Sequence, residues 1–357
     1  MTYLLTPLSW LFDGVTNVRN RMFDIGMLKM REFDVPVVSV GNITVGGTGK
    51  TPHVEYIIRN LATDYNIAVL SRGYKRKTRG FLLANSKSTP DAIGDEPYQI
   101  YQKFGMRVRV AVCENRVKGI ERILELHPEV NLILLDDAFQ HRYVKPKVSV
   151  LLMDYNRPIY KDKVLPLGRL RENRHAAERA DMVICTKCPE GLMPLQYRLV
   201  SKGLDLLAFQ KLFFTRYEYG ALQPVFPDEC PYNVSLETFT KRDSVLLLTG
   251  IAHPRYFVRY FKQYPFKVKV DHYSDHHDFT RRDLQGIEQT LRQMSGERKI
   301  IVTTEKDAVR LSNNPYFSEE LKPYVFYLPV EVKMADGLDD GDFISALRAA
   351  ISRGNEG

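Results

Sequence analysis

Long uninterrupted apolar runs, paired cysteines, low-complexity tracts and internal repeats are all missing from this chain, and each absence narrows its function. The most apolar stretch, near the N-terminus, is broken by Asp13, Asn17 and Arg19, so it does not read as an ordinary transmembrane helix. The sequence holds only 4 cysteines at irregular spacing in 357 residues, which suits a reducing compartment rather than a disulfide framework. Cys185 and Cys188 form a lone CxxC. A zinc site wants a second close pair, and Cys113 and Cys230 stand apart. No basic leader with a small-residue cleavage site opens the chain, so no signal peptide is expected. No nucleic-acid-binding motif is recognisable either.

What is present is a globular composition, 44% hydrophobic, with a formal net charge of +8. That excess favours an anionic partner such as a nucleotide, a phosphorylated substrate or a membrane surface.

The most informative stretch runs from Val40 to Thr51. An apolar run from Val35 to Val40 reads as a buried strand, and Pro52 to Ile58 reads as a helix start with Pro in the first turn. Strand, glycine-rich turn, Gly-Lys-Thr and helix make up a phosphate-binding loop, here Val45, Gly46, Gly47, Thr48, Gly49, Lys50 and Thr51. Glycines let backbone N–H groups close around phosphate oxygens, and the helix N-terminus adds positive potential. Lys50 is placed to reach the β- and γ-phosphates, and the Thr51 hydroxyl to bind Mg²⁺. The motif usually has Gly where Thr44 stands. A related loop in partitioning-type ATPases carries a signature Lys where this chain has Val45.

Further strands are expected at Ile67–Leu70, Arg107–Val112, Leu132–Leu135, Val148–Met153 and Met182–Cys185, with helical patterns between several of them. That alternation predicts an α/β fold, a P-loop NTPase-like parallel sheet covered by helices. A second, smaller α/β pattern contains Val245–Thr249, Phe266–Val270 and Lys299–Thr303. It is flanked by strand-like runs at Lys211–Tyr219 and Tyr324–Lys333 that form a strand-pair linker. The expected division is 1–32, 33–208 and 209–357.

Within 1–32, Leu4, Leu8, Leu11, Val15, Val18, Met22 and Ile25 recur at helical spacing. This stripe fits a helix packed on the core. It equally fits a helix lying in a membrane interface with Trp10 at headgroup depth.

Several other residues carry candidate chemistry. The strand Leu132–Leu135 ends in Asp136-Asp137, the pattern that holds Mg²⁺ directly or through water. His141 follows at the carboxyl end, suited to an acceptor group or to a structural role. Five cations lie among Arg72, Lys75, Arg76, Lys77 and Arg79, either solvated or gripping an anion. Glu172 sits beside Arg169 and Arg171, as an ion-pair partner or a Mg²⁺ ligand. His276 and His277 lie between acids, and a carboxylate paired with a histidine makes a general base.

Taken together, Ser39–Pro52, Leu70–Tyr74, Gly94–Pro97, Leu135–His141, Leu170–Glu172, Thr249–Ala252, Asp275–His277 and Thr304–Asp307 resemble the tetraacyldisaccharide 4′-kinase family, the lipid A 4′-kinases of Gram-negative bacteria. They run in the family's order over nearly the whole chain. Ala138 departs from the family's usual Gly after the two acids.

The resemblance implies ATP-dependent phosphorylation of the 4′-hydroxyl of a lipid-linked disaccharide 1-phosphate, with ATP and Mg²⁺ as cofactors. It implies two α/β domains with ATP between them, and the N-terminal helix on the cytoplasmic face of the inner membrane. Asp95 and His276 are then the base dyad. Thr51, Asp136, Asp137 and Glu172 are the Mg²⁺ candidates, and Asn42, Arg72 and His141 the substrate contacts. A monomer without nucleic acid is expected. The competing expectation is a membrane-recruited P-loop ATPase switch. It accounts for the loop and the amphipathic helix but not for the second domain or the Asp95 and His276 motifs.

Overall fold

Buried, apolar, β-branched segments build two sheets. The computed structural model describes residues 2–230, 234–251, 254–275, 277–335 and 342–353. Its strands are β1 (Val37–Gly41), β2 (Ile67–Ser71), β3 (Leu82–Leu83), β4 (Arg109–Val112), β5 (Leu132–Asp136), β6 (Val148–Asp154) and β7 (Met182–Thr186). They continue with β8 (Lys211–Tyr219), β9 (Gln223–Pro224), β10 (Ser244–Thr249), β11 (Lys267–His272), β12 (Lys299–Thr304), β13 (Val325–Leu328) and β14 (Val330–Met334).

The larger sheet has the order β14-β8-β7-β6-β1-β5-β2-β4-β3. The pairings from β8 through to β4 are parallel, and β3 joins antiparallel at the edge. The strands β1, β2, β5, β6 and β7 are buried at every position, as expected where both faces are covered. Helix α2 (Lys50–Leu61) packs Val54, Ile57, Ile58 and Leu61 against one face.

The register fixes the site. β1 lies between β5 and β6, and Val40 is level with Asp136. The phosphate loop therefore leaves the sheet beside the acidic end of β5, at the carboxyl edge where α/β proteins bind ligands.

The smaller sheet has the order β11-β10-β12-β13-β9. Leu246, Leu248 and Ile301 line one of its cores, and Val245, Leu247, Ile300 and Val302 the other, following the two-residue period of a strand.

Two expectations shift in detail. The run Tyr324–Lys333 is two strands, separated at Pro329, which has no N–H to continue a ladder. The compact units are Met1–Ser88 with Ile100–Tyr217 and Val332–Gly357, and Thr89–Gln99 with Glu218–Glu331. The C-terminal helix Phe343–Ser352 thus belongs with the first unit rather than with 209–331. Its Phe343, Ile344, Leu347 and Ile351 share one core with α2. Residues near Asp95 belong with the second unit.

The N-terminal helix α1 (Thr2–Asp24) docks through its polar side. The Ser9 hydroxyl donates to the Val164 carbonyl at 2.8 Å, Asn20 Nδ2 to Glu172 Oε2 at 2.7 Å, and Phe23 is buried. Arg142 donates to the Asn20 carbonyl at 2.8 Å and pairs with Asp24 at 2.6 Å. Leu8, Leu11, Val15, Val18 and Ile25 remain exposed, and Trp10 is 73% exposed. The stripe is not core, and among the described residues no helix is long and apolar enough to cross a membrane. Changing Leu8, Leu11 and Val15 together to Asp is expected to reduce co-sedimentation with anionic vesicles by about tenfold or more, since each charge opposes burial of an apolar face. Unchanged sedimentation would exclude this stripe as the membrane contact.

Candidate active site

The phosphate loop is shaped by two left-handed glycines, Gly46 at φ 112° and Gly49 at φ 91°. At Gly49 the left-handed backbone disfavours any residue with a Cβ, and a Cβ there would also come within 2.1 Å of the Tyr217 hydroxyl, which would have to move. The loop is braced along its length. Asn42 Nδ2 donates to Thr48 Oγ1 at 2.6 Å, and Gln140 Nε2 to the Asn42 carbonyl at 2.8 Å. The N–H of Val45 donates to the Arg169 carbonyl, and that of Arg171 to the Ile43 carbonyl. The Leu170–Glu172 motif is thus partly a backbone bracket for the loop.

Lys50 Nζ stands 3.7 Å from Asp137 Oδ1. Asp137 adopts φ 48°, and Arg171 donates to its two oxygens at 3.2 and 3.3 Å. Burial would raise the Asp137 carboxyl, but Lys50, Arg171 and Arg116 outweigh it and hold the carboxyl below its ordinary value. Asp136 is buried next to the loop strand.

Glu172 pairs with neither neighbouring arginine. Its Oε2 accepts from Arg179 at 2.9 Å and from Asn20, while its buried Oε1 has no hydrogen-bond donor. Among the described residues no three His, Cys, Asp or Glu side chains converge as a metal cage. The oxygen donors present still suit Mg²⁺, which keeps several waters and takes phosphate oxygens beside one or two carboxylates. The uncompensated Glu172 oxygen is consistent with a nearby cation.

A basic patch forms in the same unit. His141 Nε2 accepts from the Arg116 N–H at 3.3 Å. Burial first, then the charges of Arg116, Arg19 and Arg72, lower His141 to about 4. Arg116 is buried, and its guanidinium donates to the carbonyls of Cys113 and Glu114 at 3.2 Å. Burial lowers Arg116 to about 10. The sequence motifs did not single out Arg116. It follows Asn115, whose side chain caps the helix Arg116–Leu126, and that cap was the only signal available. Of the five clustered cations, Arg76 is engaged by Glu114 at 2.6 Å, while Arg72, Lys75, Lys77 and Arg79 are exposed.

In the second unit, Asp95 is the first residue of the helix Asp95–Phe104. Arg310 pairs with its carboxylate, Nε donating to Oδ2 at 3.0 Å, and also donates to the His277 carbonyl at 3.1 Å. His276 lies outside the described residues, as does Ala252. Arg310 was not marked by the sequence, although it stands three residues after the Thr304–Asp307 motif.

One buried histidine responds to pH. His53 is fully buried, and burial lowers it to about 4, below its unfolded value of 6.5. The native state therefore prefers the neutral ring. Its stabilising share is complete above pH 6.5 and is lost as pH falls toward 4. A shift of this size corresponds to about 3 kcal/mol. Urea midpoints of the wild type should fall more steeply over that window than those of His53→Asn. Parallel slopes would contradict the assignment.

A parallel sheet carrying Gly-Lys-Thr at a helix start, with acids closing the neighbouring strand, defines a P-loop nucleotide-binding protein. Comparison with known proteins specifies the family. The LpxK family model, tetraacyldisaccharide-1-P 4′-kinase, matches residues 1–352. The chain is 48% identical over 343 residues to the tetraacyldisaccharide 4′-kinase of Bacteroides thetaiotaomicron, covering 94% of this chain and 90% of that one. It is 45% identical over 337 residues to that of Porphyromonas gingivalis strain ATCC 33277, covering 92% of each. LpxK from Aquifex aeolicus, crystallised in complex with ATP, superposes with a TM-score of 0.73 at 30% identity over 99% of this chain and 98% of that chain. The chain belongs to the tetraacyldisaccharide 4′-kinase family, and it is an enzyme, a kinase with an alcohol group as acceptor.

Proposed function

We propose that this chain transfers the γ-phosphate of ATP to the 4′-hydroxyl of tetraacyldisaccharide 1-phosphate, a step of lipid A biosynthesis. The observation that carries the reading is the braced Val45–Thr51 loop beside Asp136 and Asp137, in a chain of this family. Backbone N–H groups of the loop, those of Gly49 and Lys50 among them, and the Lys50 ammonium hold the β- and γ-phosphates as charge spreads over their oxygens. Mg²⁺ would be held by the Thr51 hydroxyl and Asp136, with Asp137 and Glu172 as further candidates, and would supply neutralising charge on the phosphates.

Asp95 accepts the proton of the attacking sugar hydroxyl. Arg310 orients the Asp95 carboxylate, and His276 acts with Asp95 as the second member of the base dyad. Arg72, Arg116 and His141 recognise the phosphorylated disaccharide, whereas Asn42, expected as a further substrate contact, is fully buried and braces the loop instead. The exposed side of α1 rests on the cytoplasmic face of the inner membrane, where the acyl chains of the substrate lie. The enzyme acts as a monomer.

The ATPase-switch alternative gains no support. Val45 replaces its signature Lys, and the relatives matched over nine-tenths of this chain are named kinases.

The test uses purified chain, ATP, Mg²⁺ and detergent-solubilised disaccharide 1-phosphate. A more polar bisphosphorylated lipid should form and should vanish when ATP is omitted. Unchanged lipid in the presence of ATP hydrolysis would reject the acceptor.

A further inference from the structure

Three consecutive carbonyls of the phosphate loop are gripped by side chains that no phosphate-binding motif includes. The Lys187 ammonium donates to the Gly47 carbonyl and, at 2.7 Å, to Asp154 Oδ2. The Thr186 hydroxyl donates to the Thr48 carbonyl at 2.8 Å. His53 Nδ1 lies 2.7 Å from the Gly49 carbonyl. A carbonyl only accepts, so Nδ1 carries the ring proton, and Nε2 accepts from the Thr215 hydroxyl at 2.9 Å.

The gripping residues His53, Asp154, Thr186, Lys187 and Thr215 are all buried. Thr186 closes β7, and Lys187 adopts φ 58°, a left-handed conformation uncommon for a residue other than glycine. Asp154 closes the adjacent β6, and its Oδ1 accepts from the Asn156 N–H at 2.9 Å. The grip is therefore anchored at the carboxyl ends of two neighbouring strands.

The geometry has a direct consequence. In a planar trans peptide the C=O of one residue and the N–H of the next point in opposite directions. Holding the Thr48 and Gly49 carbonyls from behind turns the N–H groups of Gly49 and Lys50 to the opposite side. Holding the Gly47 carbonyl fixes the Thr48 N–H, which closes the turn on the Gly46 carbonyl at 3.1 Å.

We propose that Thr186, Lys187 with Asp154, and His53 are positioning residues that pre-orient the phosphate loop, so that its donors face a polyphosphate before one binds. They touch no phosphate themselves and act through the loop. The proposal rests on reading Val45–Thr51 as the ATP cradle, and it assigns the Cys185–Cys188 segment a role as the loop's support rather than as a metal site.

The experiment measures calorimetric binding of inorganic tripolyphosphate, ATP and AMP, with thermal melting as a check on folding. Thr186→Val removes one hydroxyl at constant shape, and Thr186→Ser restores it. Lys187→Met is combined with Asp154→Asn, so that no buried carboxylate is left unpaired. Thr186→Val should weaken tripolyphosphate and ATP about 5- to 10-fold, the loss of roughly one hydrogen bond. Thr186→Ser should bind within about twofold of wild type, and the double variant should lose about 10- to 100-fold. AMP affinity and melting temperature should change little for the threonine variants, a pattern that a general packing role would not give.

If wild type binds tripolyphosphate and both Thr186→Val and the double variant bind it equally well, the clamp is overturned while the cradle stands. If wild type binds neither tripolyphosphate nor ATP, the cradle reading itself fails and the clamp with it. Should the double variant not fold, the Val and Ser pair at Thr186 decides alone.

Discussion

Replacing Asp95 by Ala is expected to lower turnover by about 10²–10⁴-fold, the usual contribution of a general base, with ATP affinity changed by no more than a few-fold. Asp95 opens the helix Asp95–Phe104 and pairs with Arg310. His276 is assigned as the partner of Asp95 in the dyad. Asp95→Asn is the companion variant. It keeps the shape beside Arg310 while removing the charge, so a matching loss in a folded protein separates chemistry from stability. His276→Ala should also lower turnover by about 10²–10⁴-fold. Normal turnover by Asp95→Asn would eliminate the dyad.

Lys50→Ala is the second large effect, with turnover reduced by about 10²–10³-fold, as when one preorganised donor to transition-state charge is removed. Lys50 stands 3.7 Å from Asp137, and Asp137 keeps its Arg171 contact at 3.2 Å when the lysine is gone. The fold should therefore survive, and the loss should fall on the chemical step and on phosphate affinity. Turnover within tenfold of wild type would mean that Lys50 does not face the transferred phosphate.

The two variants act on different units of the chain, Lys50 in the first and Asp95 in the second. Their signatures differ accordingly. Lys50→Ala should weaken ATP and tripolyphosphate together, whereas Asp95→Asn should leave both nearly intact.

Much of this was legible in the sequence because the relevant signals are local. Val35–Val40, Leu132–Leu135 and Val148–Met153 read as strands from continuous apolar runs, which is the imprint of burial on both faces. The Gly46–Thr51 spacing marked the phosphate loop because only a few residue types allow that turn. The exposed stripe of α1 was visible as a period, but whether it faced core or solvent was decided by Ser9, Asn20 and Phe23 docking the other side.

The rest depended on contacts between distant residues. Glu172 stands beside two arginines in sequence yet pairs with Arg179, because Arg171 reaches Asp137 instead. Lys187 and Thr186 meet the loop across about 140 residues of chain, through strand order that no local pattern encodes. Pro52 and the expected helix start were plain, whereas the next residue, His53, gave no sign that its ring spans Gly49 and Thr215.

The central claim is that the γ-phosphate goes to a lipid hydroxyl and not to water. The direct measurement follows γ-labelled ATP in one reaction with disaccharide 1-phosphate and counts label in lipid against label in free phosphate. The account predicts nearly all label in lipid, on the sugar bearing the 4′-hydroxyl, and little ATP consumed when lipid is left out. Label released mainly as free phosphate, at a rate independent of lipid, would contradict it.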